Sequence, residues 1–190
     1  MVVELISVGT ELLLGNIVNT NARYLSEKCA MLGLAVYYQT TVGDNRERMA
    51  GVIKTALDRA DMIILNGGLG PTEDDITKEV CAEVMGARLV EDPTVKAHLE
   101  EWYKLRMKSE LPESNWGQAL VPEGAVIFEN HNGTAPGLAV EKDGKIAILL
   151  PGPPGEMYPM FEEQVCPYIQ GKQSGIIRSC LLYTSDAADD

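Results

Sequence analysis

Gly67-Gly68-Leu69-Gly70-Pro71-Thr72-Glu73-Asp74-Asp75 follows the apolar run Met62-Ile63-Ile64-Leu65-Asn66 and leads into Ile76-Thr77-Lys78-Glu79-Val80. The order reads as strand, glycine loop and helix. Three glycines remove the Cβ atoms that would hold a ligand off the backbone, and the first N–H groups of a following helix point into the gap. Such a gap favours phosphate. Asp74 and Asp75 complicate it. In the first helical turn, where the sequence places them, they gain roughly 0.3 to 1 kcal/mol from the helix dipole. A phosphate about 4 Å away would be repelled by roughly 4 kcal/mol at an effective dielectric of about 20. Two readings stand: the loop binds no phosphate, or a divalent cation such as Mg²⁺ bridges carboxylate and phosphate oxygens.

Outward from this loop the same alternation recurs. Val2 to Val8 reads as a strand, residues 9 to 15 as a turn, and Asn21 to Leu32 as a helix whose Ala22, Leu25, Cys29 and Leu32 share one face before Gly33 closes it. Leu34 to Val42 reads as a second strand, followed by Gly43-Asp44-Asn45 and a helix with Met49, Val52, Ile53, Ala56 and Leu57 at helical spacing. After the glycine loop, Ile76, Val80 and Val84 face inward and Gly86 ends the helix. Asp92-Pro93 opens a fourth helix carrying Val95, Leu99, Trp102, Leu105 and Met107. A turn-rich bridge, 111 to 124, leads to strands at 125 to 128 and 138 to 141, and Asp143-Gly144 marks a tight hairpin into Lys145 to Leu150. Pro151-Gly152-Pro153-Pro154-Gly155-Glu156 then opens a helix through Met160, Phe161, Val165 and Ile169.

The fold expected is α/β, a mostly parallel sheet joined by an antiparallel hairpin. In such sheets ligands settle at the carboxyl ends of strands, so loops 9 to 16, 43 to 45, 67 to 75 and 151 to 156 should line one crevice. Residues 1 to 170 form the expected domain. Residues 171 to 190 read as a linker and a truncated or foreign tail, with a short strand conceivable at 176 to 178.

Composition sets outer bounds. The chain has 190 residues, 45% of them apolar, enough for one sizeable core, and no long apolar run for a membrane. No secretory signal is read at residues 1 to 9, so the cytoplasm is the expected compartment. Cys29, Cys81, Cys166 and Cys180 lack metal-ligand spacing and read as reduced core residues. A net charge of −12 opposes non-specific nucleic-acid binding.

Five stretches together resemble one family: Ser7-Val8-Gly9-Thr10-Glu11-Leu12-Leu13-Leu14-Gly15, Gly43-Asp44, Gly67 to Asp75, Asn132-Gly133-Thr134-Ala135-Pro136-Gly137 and Pro151 to Glu156. They are similar to the N-terminal domain of the CinA competence/damage-inducible family, itself related to the molybdopterin-binding domains of molybdenum cofactor biosynthesis. The resemblance covers roughly residues 1 to 179. It implies a three-layer α/β/α domain and metal-dependent hydrolysis of ADP-ribose to AMP and ribose 5-phosphate. Full-length relatives are also expected to carry an NMN amidohydrolase domain that this chain does not include.

On this reading Asp75 and Asp44 are the catalytic and metal-binding carboxylates, Mg²⁺ being the expected cofactor; the role of Asp75 is implied by the related molybdopterin-binding domains. Glu11 would hold a ribose hydroxyl or the metal. Gly67, Gly68, Gly70 and Thr72 would supply donors to phosphate. Pro151, Gly152, Pro153 and Pro154 would form a stiff wall against the nucleoside, and Gly133, Thr134 and Gly137 would line the same mouth. His131 and His98 form no triad with a serine or cysteine, and His98 reads as surface helix. The bland readings are helix capping by Thr72 and Asp75, a Gly-Asp-Asn turn at Asp44 and a solvated loop acid at Glu11. The partner expected is a small nucleotide bound by a homo-oligomer. The alternatives are a molybdopterin-binding or adenylyl-transfer domain and a nucleotide-binding module without turnover.

Overall fold

The computed structural model describes residues 1–173. The short strand conceived at 176 to 178, the tail and Cys180 lie outside the described residues. Six strands form the main sheet in the order β2-β1-β3-β8-β7-β6, namely Ala35–Val42, Val2–Val8, Met62–Asn66, Lys145–Leu150, Gly137–Lys142 and Val126–Phe128. The first four are parallel to one another, while β7 pairs antiparallel with both β8 and β6. The hairpin between β7 and β8 turns at Asp143 and Gly144, both with positive φ, 51° and 76°. That is the left-handed pair a two-residue hairpin requires.

Helices cover both faces, and the strands sort their side chains accordingly. Ile6, Val8, Ile63, Leu65, Ala147 and Leu149 pack with Met49, Ile53 and Ala56 of α3 (Arg46–Arg59) and Val80, Cys81 and Met85 of α4 (Thr77–Met85). Val3, Leu5, Met62, Ile64, Ile148 and Leu150 point the other way, onto Leu25 and Cys29 of α2 (Thr20–Met31) and onto the C-terminal helix. Alternate residues of one strand thus feed two cores, which is why β3 reads as an unbroken apolar run. Cys29, Cys81 and Cys166 are free thiols, and burial raises each, the first two to about 12.

Several boundaries differ from the sequence reading. Residues 9 to 16 contain a short helix, α1 (Thr10–Leu13). Leu89–Glu91 (β4) and Leu120–Pro122 (β5) form a separate antiparallel pair, reached through a 3-10 turn over Glu113–Ala119. α5 (Pro93–Trp102) buries Val95 and Leu99, but a π turn over Tyr103–Met107 rotates the chain and leaves Leu105 and Met107 66% and 61% exposed. The C-terminal helix is α6 (Pro154–Met160), a π turn over Phe161–Val165, and α7 (Cys166–Lys172). Pro159 and Pro167 cannot donate a backbone bond, and the wider turn lies between them. α7 extends two residues past the expected boundary at 170.

Asp92 caps α5, accepting from the backbone N–H of Thr94 at 2.8 Å and of Val95 at 3.1 Å. The Thr94 hydroxyl, first of all, and these two N–H groups hold the Asp92 carboxyl below its ordinary value. A depressed carboxyl adds stability above the unfolded value of about 4 and loses it as pH falls through the folded value. Asp92→Ala is therefore expected to cost about 1 kcal/mol at pH 7. Urea denaturation should show the wild type losing that advantage progressively below about pH 4.

Candidate functional site

β1 sends its connection over one face of the sheet and β3 over the other, so a cleft opens between their carboxyl ends. A hollow of about 370 Å³ occupies it, with Val8 and Glu11 on one side, Asn66 and Gly67 below, and Gly152, Pro153 and Pro154 opposite. Ile17 and Val18, 53% and 83% exposed, form an apolar rim. Asparagines floor it. Asn66 closes β3, is 6% exposed and donates to the Pro151 carbonyl at 2.6 Å. Asn21 donates to Asn66 Oδ1 and to the Gly152 carbonyl, and Asn19 donates to Ser7 Oγ while capping α2.

The glycine loop separates this hollow from a second one of about 450 Å³, lined by Gly70, Thr72, Asp75, Lys78, Glu79 and Gln118 among others. Gly67 has φ 109° and its N–H already donates to the Leu150 carbonyl, so it offers no donor, and its missing side chain makes room for the Val8 carbonyl. The Gly68 and Gly70 N–H groups have no backbone acceptor among the described residues and remain available. Thr77 ties the loop from behind, its hydroxyl donating to the Gly67 carbonyl and its N–H to the Gly68 carbonyl. A still larger hollow, about 710 Å³ beside Lys104 and Trp116, shares no lining residue with the glycine loop.

Asp74 and Asp75 are not in the first turn of α4, contrary to the sequence reading. The helix starts at Thr77, and Asp75 accepts from the Thr72 N–H at 3.0 Å and the Thr72 hydroxyl at 2.6 Å, closing a small ring ahead of the helix. The dipole gain assigned to the two aspartates therefore does not apply. Asp44 is held the same way by Thr10, whose N–H and hydroxyl donate at 3.0 and 2.8 Å. Asp75 lines the second hollow and Asp44 neither. The shared crevice expected for all four loops is thus divided. Among the described residues no group of three or more His, Cys, Asp or Glu is placed to hold a metal ion. In each aspartate it is Oδ2 that accepts from the threonine, and a Mg²⁺ brought in with a phosphate needs only one or two carboxylates.

The remaining expected residues divide similarly. Glu11, Gly67, Gly152, Pro153 and Pro154 meet in the first hollow, and Gly70, Thr72 and Asp75 in the second. Pro151 is buried and acts through its carbonyl. Gly137 is a buried residue of β7 closed against Met160, away from any mouth. Gly133 is buried beside Glu156 and Asn130, and its carbonyl meets His98 Nε2 at 3.2 Å, so His98 is half-buried rather than a free surface group. Thr134 lines neither hollow, and His131 is exposed. Sequence reasoning missed Asn19, Asn21, Asn66, Lys78 and Gln118. Asn66 alone had a visible signal, a polar residue ending an otherwise apolar buried strand. Lys78 is mostly buried, donates to the Gly117 carbonyl at 2.6 Å, and burial lowers its ammonium below the ordinary value.

A doubly wound sheet with a glycine loop at its switch point defines a class, and residues 4–171 match the family described as a probable molybdopterin binding domain. At 21% identity and a TM-score of 0.55, the molybdopterin biosynthesis enzyme MoaB from Thermus thermophilus shares the fold. Within that class the chain belongs to the CinA competence/damage-inducible family. It is 58% identical over 170 residues to a competence-damage inducible protein of Caldicellulosiruptor saccharolyticus, covering 90% of this chain and 41% of that one. A Symbiobacterium thermophilum relative of the same name is 53% identical over 92% of this chain and 41% of its own length. The crystal structure of CinA from Thermoplasma acidophilum has a TM-score of 0.79 at 34% identity, covering 85% of this chain and 94% of that one. The chain thus spans about two fifths of the curated relatives it matches. Among the described residues no helix is long and apolar enough to cross a membrane.

Proposed function

We propose that the paired hollows bind a phosphorylated, ring-bearing metabolite of the pterin or nucleotide type, its phosphate meeting the glycine loop together with a divalent cation that offsets Asp74 and Asp75. One observation carries this reading. The N–H groups of Gly68 and Gly70, without a backbone acceptor among the described residues, stand on a glycine-rich loop at the carboxyl ends of the strands, where Gly67 lines the first hollow and Gly70 the second. The apolar rim and proline wall of the first hollow suit a flat ring, whose amine or amide groups the asparagine floor would meet. The family match to molybdopterin-binding domains agrees with such a ligand. Calorimetric titration of the protein, in the presence of Mg²⁺, with a pterin phosphate, AMP and inorganic phosphate tests it: saturable binding, competed by phosphate, is expected. No heat with any of the three would end the proposal.

A second reading is hydrolysis of a nucleoside diphosphate such as ADP-ribose in the cytoplasm. What favours it is the placement of two hollows on either side of one phosphate loop, with Glu11 in one wall and Asp75 in the other. A diphosphate carries a substituent at each end, and a ligand so straddled exposes its bridging oxygen above Gly68 to Gly70. Asp75 holds Thr72 in place, so Asp75→Asn is expected to lower AMP release from ADP-ribose at least tenfold, an effect of roughly 1.4 kcal/mol on the barrier. Chromatography of products, with and without added Mg²⁺, measures it; full turnover by the variant would remove Asp75 from the mechanism.

A further inference from the structure

We infer that Glu156 is a positioning residue for the ring-bearing end of the ligand: by its bond to Asn130 it holds in place the proline wall of the first hollow, which it does not itself line. The inference rests on the phosphate-and-ring reading above and deepens it by naming what sets the wall from outside.

Pro151 to Glu156 contains three prolines in six residues. A proline has no N–H to donate, so such a stretch is anchored by what it accepts. Four asparagines supply the donors. On the floor of the hollow, Asn66 donates to the Pro151 carbonyl at 2.6 Å and Asn21 to the Gly152 carbonyl at 2.7 Å. Past the wall, Asn132 donates to the Gly155 carbonyl at 2.9 Å and Asn130 to Glu156 Oε2 at 2.7 Å. Pro153 and Pro154 lie between these two pairs of anchors along the chain, as the cap and first residue of α6. A shift of the first turn of α6 therefore carries the wall with it.

The outer tie is held from several sides. Asn130 is 2% exposed; it also donates to the Ala135 carbonyl at 2.8 Å and accepts from the Asn132 N–H at 3.1 Å, so its amide cannot be turned over. The Glu156 carboxylate reaches it across Gly133, where a Cβ would stand 2.1 Å from Oε2. Gly133 thus makes room for Glu156. Farther along the same helical segment, Gln164 brackets Glu129, accepting from its N–H and donating to its carbonyl, each at 2.7 Å. The loop so fixed is a post for the wall, and Glu156 is the side chain through which the wall's own turn grips it. An acid in the first turn also gains from the helix dipole, with or without Asn130. Glutamine would lose that gain and keep the hydrogen bond, which separates the two roles.

The test is calorimetry of the full chain with AMP and with inorganic phosphate, both in Mg²⁺, since the ratio of the two affinities isolates the part of binding that the ring contributes. Glu156→Ala is expected to weaken AMP about tenfold while phosphate stays within about twofold, and Glu156→Gln to keep AMP within about threefold of the wild type. Asn132 is exposed, so Asn132→Ala serves should Glu156→Ala fail to fold; a loss of about threefold for AMP alone is expected. An unchanged ratio in the variant that folds overturns the inference, as does an equal loss of both ligands, which is what a merely structural role would give. Glu156→Gln binding as weakly as Glu156→Ala overturns it too. A wild type that binds phosphate but AMP no more tightly removes the ring from the wall and leaves the phosphate loop standing. If neither ligand binds, the phosphate reading falls and this inference with it.

Discussion

Gly67→Ala is expected to lower the free energy of unfolding by about 3 kcal/mol and to abolish phosphate binding at the loop. Two costs combine. The residue sits at φ 109°, which an L side chain rarely adopts, and a Cβ there would overlap the Val8 carbonyl oxygen at the end of β1. Val8 has little room to yield, because its strand is paired on both sides, with β2 and β3. Relief must come from the loop, whose N–H bond to Leu150 and Thr77 contacts fix the positions of the Gly68 and Gly70 donors. Urea unfolding reads the stability and calorimetry with inorganic phosphate the binding. A variant as stable as the parent and still binding would mean that the loop backbone is not constrained as described.

The other large effect is remote from the cleft. Glu4 lies in β1 and is 1% exposed, yet it is an acid in the middle of an apolar strand. Arg59, from the last turn of α3, answers it with a two-pronged contact, Nε to Oε2 and Nη2 to Oε1, each at 2.8 Å, and the Thr40 hydroxyl adds a third bond at 2.7 Å. The guanidinium is itself stacked on Tyr38, 3.7 Å from the ring centre. Arg59→Ala would leave a carboxylate in the sheet without its counter-charge and lower the stability, though by less than breaking a fully buried pair, because Arg59 itself is partly solvated. Arg59→Ala together with Glu4→Gln should recover part of that loss, since the buried charge is gone as well. Chemical denaturation of both variants measures this; equal stability of the single variant and the wild type would show that Glu4 is solvated through an unfolding edge.

The alternation of strands and helices was legible because each element carries its own period. Met49, Ile53 and Ala56 repeat at helical spacing in α3 and all three are buried, and the apolar run of β3 is buried from end to end. β4 and β5 were not legible, since each has three residues and their pairing joins Leu89 to Pro122 across a long stretch of chain. The start of α4 was misplaced for a chemical reason. The Asp75 side chain satisfies the Thr72 N–H locally, and that ring competes with an earlier helical turn. The glycine loop itself was readable as a site, because the absence of side chains is visible in a sequence. Its polar companions were not. Asn21, Lys78 and Gln118 are ordinary residues of helices and turns until the fold carries them to the cleft, and an unpaired oxygen such as Gln118 Oε1 exists only in three dimensions. The division of the expected crevice has the same origin, since the loop that was read as its floor stands between two walls.

Where the chain enters and leaves this domain follows from the same topology. The Met1 carbonyl is bonded to the N–H of Ala35 at the beginning of β2, and Gln173 donates to the Leu32 carbonyl at the end of α2. Both points lie at the amino ends of the parallel strands, whereas the hollows open at their carboxyl ends. Tethering the protein to a sensor surface through either point would therefore present the cleft to solution, and a bulky fusion partner joined there would stand on the opposite pole from incoming ligand.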